Sequence, residues 1–582
     1  MTGNIAKNDS MGSTIRQKLS CVLHHLAESP WIAYTGIVLL QVKVMLWIWE
    51  YHDLAPGDTS YYYLTVFDWL DEGKGSIVRS PIYTLFLAAL HKLLDDPFRV
   101  LTAAQLGIAI CASLLTLVLL RRLLPNYLAW LVAAWWALLP INFDTAYIVH
   151  LFSALFPLGL FVVAAYVPNI YGRGIVLAGL LFTAALVRSE YVLLFMLWLM
   201  VLAGHEFYRR RSKDPKTSWG TYLLAYGLPL IVTGLFIGGF YLHAKPGSLA
   251  EIRQEMHLKQ TENMCQIYAY NRKQQGDPWP GNPWTDCENL LERDFGRPEV
   301  TFLQALSLNP RAILGHLWWN IKLIPSGTQL ALFDYFTGGP NPDYMPAKRA
   351  PLVWLPFLLV AGLCVFALLK YFLVPALKNK GFQQNGFAWL LLGSAALLVV
   401  VVMMMQRPRP SYMFPYTVFL MALAGLGLQG VLELLRVKST VKVLTPVAGI
   451  LLILLAPAHY DADYVNYYGY QGQPLLESYE RLSPFIDPES QVPAVIVTPR
   501  GDESLCNYLD KDSCTVIQFK KIFGPRFGFY LNRLGVNWVY LRSAEGKPQL
   551  KYDTNQWQIA AQGATPEETW VLLHRQKPKP RQ

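Results

Sequence analysis

The sequence predicts a multi-pass α-helical membrane protein with about eleven transmembrane helices, an inside N-terminus and a C-terminal extracytoplasmic α/β domain. Three observations predict it. The 582-residue chain is 53% hydrophobic and only 15% charged, whereas soluble domains carry ~25% charged residues. Its apolar residues gather into runs close to the ~20 residues that a hydrocarbon core of ~30 Å requires of a helix. Its lysines and arginines form short clusters in alternate connections between those runs, as membrane topology demands.

Backbone polarity makes each run a helix unless the chain closes as a barrel. The runs fall at 31–50, 99–120, 127–142, 151–168, 173–188, 190–207, 220–242, 351–373, 387–405, 412–431 and 443–458. The first thirty residues are polar, and the first run, Trp31 to Trp49, reads as a span rather than a cleaved leader. With the N-terminus inside, inner connections hold Arg16, Lys18, Arg121, Arg122, Arg173 and the series Arg209 to Lys216. Lys370, Lys378, Lys380, Arg436, Lys438 and Lys442 complete them. Short outer turns hold only Arg188, Arg407 and Arg409, so the bias sets the orientation. The net charge of +10 is thereby spent on topology, not on a basic face for nucleic acid.

The division is then a cytoplasmic arm at 1–30, a transmembrane domain at 31–458 with outer loops at 51–98 and 243–350, and an outer domain at 459–582. Within 51–98, the apolar run opened by Ser80-Pro81-Ile82-Tyr83 is too short to span and reads as an interfacial helix. Loop 243–350 contains a helical stretch from Ser248 to about Gln274 and then a Pro/Gly/Trp-rich segment, Asp277 to Trp284. In 459–582, strand-like runs Ala494–Val497 and Val536–Leu541 alternate with helix-like ones, and the basic tail Lys577 to Gln582 reads as disordered. Cys265 and Cys287 share one outer loop, and Cys506 and Cys514 the outer domain, so both pairs are expected as disulfides. Cys21, Cys111 and Cys364 fall in the inner arm or in spans.

No P-loop, GxGxxG, HExxH or CxxC pattern occurs, so nucleotide hydrolysis and zinc chemistry lack a handle, and no metal-ligand set is identified. What remains is a set of charged groups at the outer membrane face. Asp58, in Pro56-Gly57-Asp58-Thr59-Ser60-Tyr61-Tyr62-Tyr63, reads as a helix N-cap or as a general base with a raised pKa near apolar walls. Arg188, in Arg188-Ser189-Glu190, runs against the outer-loop charge bias; it either pairs with Glu190 and headgroups or binds an anionic ligand. Arg407 and Arg409 crowd a Pro-stiffened turn suited to bidentate phosphate recognition or to headgroup contact. Asp144 and His150 flank the outer mouth of the 127–168 helix pair, as caps or as functional groups.

In ordered series these motifs resemble the GT-C superfamily of polyprenyl-phosphate-sugar-dependent glycosyltransferases, near the protein O-mannosyltransferase and lipid A aminoarabinose transferase branch. Gly57-Asp58-Thr59-Ser60-Tyr61-Tyr62 is similar to the family's acidic first-loop motif with a following tyrosine. Leu70-Asp71-Glu72-Gly73 and Arg79-Ser80-Pro81-Ile82-Tyr83 resemble its loop glycine and basic-Pro-x-Tyr segment. Leu186-Val187-Arg188-Ser189-Glu190-Tyr191 resembles its Thr-Arg-Pro-Glu stretch, with Ser in place of Pro, and Arg407 to Pro415 its late Arg-Tyr-x-x-Pro-x-x-Pro motif. The resemblance covers roughly residues 30–435. It implies a lipid-linked sugar donor, a polyprenyl-phosphate-sugar, and an extracytoplasmic glycan, lipid or protein acceptor. Asp58 would be the base, Arg188, Arg407 and Arg409 the ligands of the donor phosphate, and Tyr62, Arg79 and Glu190 second-site groups. Where the family places a second acidic residue, this chain offers His150, with Asp144 six residues earlier. A polyprenyl-linked glycan flippase would also use such arginines but is expected to carry charges along its spans, which here are nearly free of them. A non-catalytic envelope scaffold working through the tail domain is the third reading.

Overall fold

The computed structural model of the protein describes residues 29–46, 58–71, 73–76, 80–94, 96–142, 148–211, 218–244, 249–344, 347–373 and 385–458. Beyond these it describes 474–486, 493–498, 505–509, 514–518, 531, 535–543, 556–564 and 569–576. Contact grouping divides the chain into two units. One comprises 1–46, 76–83 and 105–459, and the other 47–75, 84–104 and 460–582.

In the first unit every expected run is helical: α1 (Pro30–Val44), α4 (Pro97–Leu123), α5 (Asn126–Leu138), α6 (Ile148–Tyr166), α7 (Ile170–Leu186) and α8 (Tyr191–Arg211). They are followed by α9 (Trp219–Ala244), α14 (Pro351–Leu373), α15 (Gly386–Met405), α16 (Phe414–Leu434) and α17 (Lys438–Leu455). The division between units falls inside α4 and inside α3 (Pro81–Leu94). Among the described residues, six helices are long and apolar enough to cross a bilayer, and α9 and α14 leave most of their apolar length uncovered, with Leu235 72% and Leu359 65% exposed. Apolar surface on this scale calls for lipid as its solvent. The expected span 127–142 is shorter than its apolar run: α5 stops at Leu138 before the Pro140–Asn142 turn. At 1.5 Å per residue it reaches only about 20 Å. Trp136 and its neighbours are buried, so α5 is a packed inner helix.

The loop expected over 243–350 is itself built of helices, α10 (Leu249–Gln274), α11 (Cys287–Phe295), α12 (Phe302–Leu308) and α13 (Pro310–Phe333). The Cys265–Cys287 disulfide joins α10 to α11 over a core containing Tyr268, Leu290, Leu291 and Ile313. The long helix α13 escapes a hydropathy reading because His316, Asn320 and Lys322 interrupt its apolar residues. Two of those groups are buried at 2% and 0% exposure, and Ala331 packs with Val399, Met403 and Met413 of α15 and the turn beyond it. Gly327 is required here, because a Cβ at that position would stand 2.3 Å from the Pro408 carbonyl oxygen. Its absence lets the turn after α15 lie directly on α13.

In the second unit, α2 (Asp58–Asp71), most of α3 and the start of α4 group with the C-terminal domain. That domain has α18 (Pro474–Leu482) and five strands: β1 (Ala494–Thr498), β2 (Cys514–Gln518), β3 (Trp538–Ser543), β4 (Trp557–Ala564) and β5 (Thr569–Arg575). Their order is β2-β1-β3-β5-β4. β1 pairs in parallel with β2 and β3, and β5 pairs antiparallel with β3 and β4. The strand expected from Val536 begins at Trp538, and Val536 itself is buried against the sheet with Leu531 and Trp557. A second disulfide joins Cys506 to Cys514. The tail Lys577 to Gln582 lies outside the described residues. Sequence reading separated the first outer loop from the C-terminal domain; the fold groups 47–75 and 84–104 with it.

Candidate functional site

Three chain reversals of the first unit meet at one end of the helices α6, α7, α8, α15 and α16. The first follows α7, where the Thr183 carbonyl accepts from the amides of both Val187 and Arg188, at 3.0 and 2.9 Å. Closing the helix this way satisfies its last acceptors and turns Arg188 out of the α7 register. Ser80, held at φ 45°, donates from Oγ to the Val187 carbonyl at 2.9 Å. A left-handed serine costs energy that the surroundings must offset. Tyr83 then packs on Phe152 of α6 at 5.1 Å between rings. The Ser80–Tyr83 and Val187–Arg188 motifs, about a hundred residues apart, are therefore neighbours.

The Arg188 guanidinium donates through Nε to both Glu190 carboxylate oxygens at 3.2 and 3.3 Å, and through Nη2 to Oε1. Through Nη1 it bonds His150 Nδ1. Arginine only donates, so His150 Nδ1 is the acceptor and its ring carries the proton on Nε2. Tyr412, beyond α15, completes the group. Its ring lies edge-to-face on His150 at 5.0 Å, with the Arg188 Cζ at 5.6 Å and the Arg409 Cζ at 5.7 Å. Arg409 is oriented by Asp343, Nε to Oδ1 at 3.0 Å, and by the Tyr344 ring at 4.5 Å.

Between these groups lies a cavity of about 50 Å³, lined on its polar side by His150, Ser153, Arg188, Glu190, Ser411 and Tyr412. Leu398, Val399 and Val402 of α15 supply an apolar wall. Ser411 Oγ is buried there with no hydrogen-bond partner among the described residues. A buried hydroxyl left unpaired costs about 1–3 kcal/mol, and a ligand oxygen would relieve it. One guanidinium, that of Arg188, with a neutral imidazole and an orphan hydroxyl lines the cavity, and Arg409 stands behind it across the Tyr412 ring; such a set suits an oxyanion. Among the described residues, no group of three or more His, Cys, Asp or Glu is placed to hold a metal.

Arg407, expected beside Arg188 and Arg409 as a phosphate ligand, is in different surroundings. It is 0% exposed. Nε donates to the Pro342 carbonyl at 2.9 Å, Nη1 to Asn271 Oδ1, and Nη2 to Gln274 Oε1 at 2.8 Å and to the Asn341 carbonyl. Four of its five N–H donors are thus taken by protein acceptors, and its faces by Tyr270 at 4.7 Å and Tyr344 at 5.6 Å. Arg407 fastens α10 to the 341–342 turn. Arg79 and Asp144 lie outside the described residues. Asp58 is the first residue of α2, with its side chain outside the described residues, and Tyr62 is half-buried on the same helix.

Sequence reasoning assigned no role to Ser80, Asp343, Ser411 or Tyr412. Ser411 and Tyr412 stood inside the quoted motif, so their neighbourhood was visible. Asp343 carried no signal beyond the turn composition of Asn341-Pro342-Asp343.

No protein-family model matches the chain, and no curated protein does. Among solved structures it is similar to the oligosaccharyltransferase of Archaeoglobus fulgidus in its apo form. Identity is 12%, over 88% of this chain and 69% of that one, at a TM-score of 0.42. It is also similar to ArnT from Cupriavidus metallidurans bound to undecaprenyl phosphate, with 12% identity over 92% and 96% of the two chains at a TM-score of 0.36. At TM-scores below 0.5 these likenesses fix neither a shared site nor a shared substrate.

Proposed function

We propose that this protein is a membrane glycosyltransferase that moves a sugar from a polyprenyl-phosphate donor to an extracytoplasmic acceptor by inverting displacement. The observation that carries the reading is the convergence of Arg188 and Arg409 on Tyr412 beside a small cavity, polar on one side and apolar on the other, at the ends of apolar helices. The Lys and Arg bias of the connections supports placing that end outside. There the cavity would take the donor phosphate. The bond from the anomeric carbon to the phosphate oxygen breaks as the acceptor oxygen or nitrogen attacks from the opposite face, and the acceptor proton passes to a carboxylate. Charge grows on the departing phosphate, where fixed guanidiniums lower the barrier most. Arg188, held by Glu190 and His150, and Arg409, held by Asp343, are the phosphate ligands. Asp58 takes the role of base from its motif alone, and Arg407 that of a positioning residue.

The test uses the full chain in detergent or nanodiscs, with a polyprenyl phosphate as binding probe and a lipid-linked sugar as donor. Asp58→Asn is expected to abolish transfer while leaving polyprenyl-phosphate binding intact. Arg188→Ala is expected to weaken binding and transfer together. Unchanged polyprenyl-phosphate binding in the Arg188 variant would overturn the reading. A flippase would tolerate the Asp58 change, and a scaffold would respond to neither.

A further inference from the structure

The second unit contains a contact that no step of the proposed reaction uses. The helix α2, opened by Asp58, is fixed in two places. Near its end, Trp69 Nε1 donates to Thr84 Oγ1 of α3 at 2.9 Å, with both groups buried. Nearer its start, the fully buried Tyr63 is held from two sides. Its hydroxyl bonds His91 Nδ1 of α3 at 2.7 Å, and its ring packs on Tyr508 at 5.3 Å. Tyr508 belongs to the short helical turn Cys506–Leu509, whose first residue is disulfide-bonded to Cys514 at the start of β2. It is 4% exposed and also meets Phe98 of α4 at 5.8 Å. Phe98 in turn meets Tyr479 of α18 at 5.6 Å.

Among the described residues, an aromatic seam between the C-terminal domain and the first-loop helix therefore includes the ring of Tyr508 on a covalently closed turn. The two cysteines are eight positions apart, so the closure leaves the turn carrying Tyr508 little freedom. Tyr63 lies five residues after Asp58, about 7.5 Å along the helix axis. Any shift of Tyr63 is passed to Asp58 by a rigid backbone.

We propose that Tyr508 is a positioning residue: through Tyr63 it fixes the N-terminal half of α2, and the C-terminal domain thereby sets where Asp58 stands. The placement claim is independent of the reaction; its catalytic consequence rests on the transferase reading above. A carboxylate displaced by about 1 Å costs on the order of 100-fold in rate. The donor phosphate sits with other residues, so its binding is untouched.

The experiment compares the wild type, Tyr508→Ala and Tyr508→Phe in the full chain. Amide hydrogen exchange over residues 58–67 is read beside kcat and donor KM. Tyr508→Ala is expected to speed exchange in 58–67 by about 10-fold or more and to lower kcat by about 10- to 100-fold with donor KM unchanged. Tyr508→Phe keeps the ring contact and restores both. Exchange in the α2 start that is indifferent to Tyr508→Ala, with the chain still folded, overturns the proposal. Exchange that rises while kcat holds, in a wild type that transfers sugar, also overturns it. A wild type with no transferase activity defeats the transferase reading alone, and the exchange result still decides the placement claim.

Discussion

Arg188 and Arg407 stand in similar places along the chain, each in a short turn joining two apolar helices. Their surroundings differ. The Arg188 side chain remains 20% exposed, beside a cavity, with its partners on one carboxylate and one imidazole. Arg407 has no exposed surface, and its partners are carbonyl and amide oxygens. The hydrogen bonds that orient this guanidinium go to neutral dipoles, the nearby Asp343 carboxylate being bonded to Arg409, so burial of Arg407 serves connection between segments. Arg188 keeps one face toward space a ligand could fill. A positive residue at a membrane turn is thus a ligand or a fastener according to what already occupies its donors.

The largest expected effect falls on the fastener. Arg407→Ala takes a donor from four acceptors; Gln274 Oε1 and the Asn341 carbonyl keep Trp319 and Gln274 as donors, while the Pro342 carbonyl and Asn271 Oδ1 lose theirs, at about 1–3 kcal/mol for each that water cannot reach. It should lower the detergent unfolding temperature steeply or prevent folding. Arg407→Lys should recover little, because an ammonium cannot reproduce the fork. Near-wild-type melting of Arg407→Ala would erase the contrast. Next comes the ligand: Arg188→Ala is expected to cut transfer by about 100- to 1,000-fold, with unfolding close to wild type. A comparable loss of stability there would make Arg188 a fastener too.

A third test sharpens the contrast with an ion-paired region of the same unit. Arg293 holds the Asp277 carboxyl well below the usual carboxylate range, against burial, which raises it, while the Trp279 amide and Arg272 add to the lowering. A depressed folded pKa gives stability that is complete above the unfolded value of ~4 and is lost as pH falls toward the folded one. Melting followed from pH 7 to pH 3 should show this loss, and Asp277→Asn should flatten it, whereas the neutral partners of Arg407 contribute no such slope. The smallest effect is expected at Ser411→Ala. Removing an unpaired buried hydroxyl should not lower the melting temperature and is expected to raise stability by no more than about 1–3 kcal/mol, while polyprenyl-phosphate binding weakens if the hydroxyl serves the ligand. Binding that matches the wild type would remove Ser411 from the site.

The helices were legible because a bilayer imposes one rule on every residue of a span, and a run such as Pro351–Leu373 obeys it without reference to the rest of the chain. α13 broke that rule with His316 and Asn320, which are tolerable only because Asn271 and the carbonyls of Met404 and Met405 stand ready to bond them. Arg188 and Glu190 were legible as a pair since only Ser189 separates them. Tyr412 as their shared ring was not, because the turn that brings it there begins more than two hundred residues later.

By itself the sequence determined which segments leave water, which turns carry charge and which cysteines fall together, all matters of local chemistry set by solvent. Only tertiary structure decided that Arg407 is a fastener, that Ser80 pins Val187, and that the first-loop helix groups with the C-terminal domain. Each of these depends on which distant atom fills the last unsatisfied bond or the last gap beside a ring, and only the folded chain brings those atoms together.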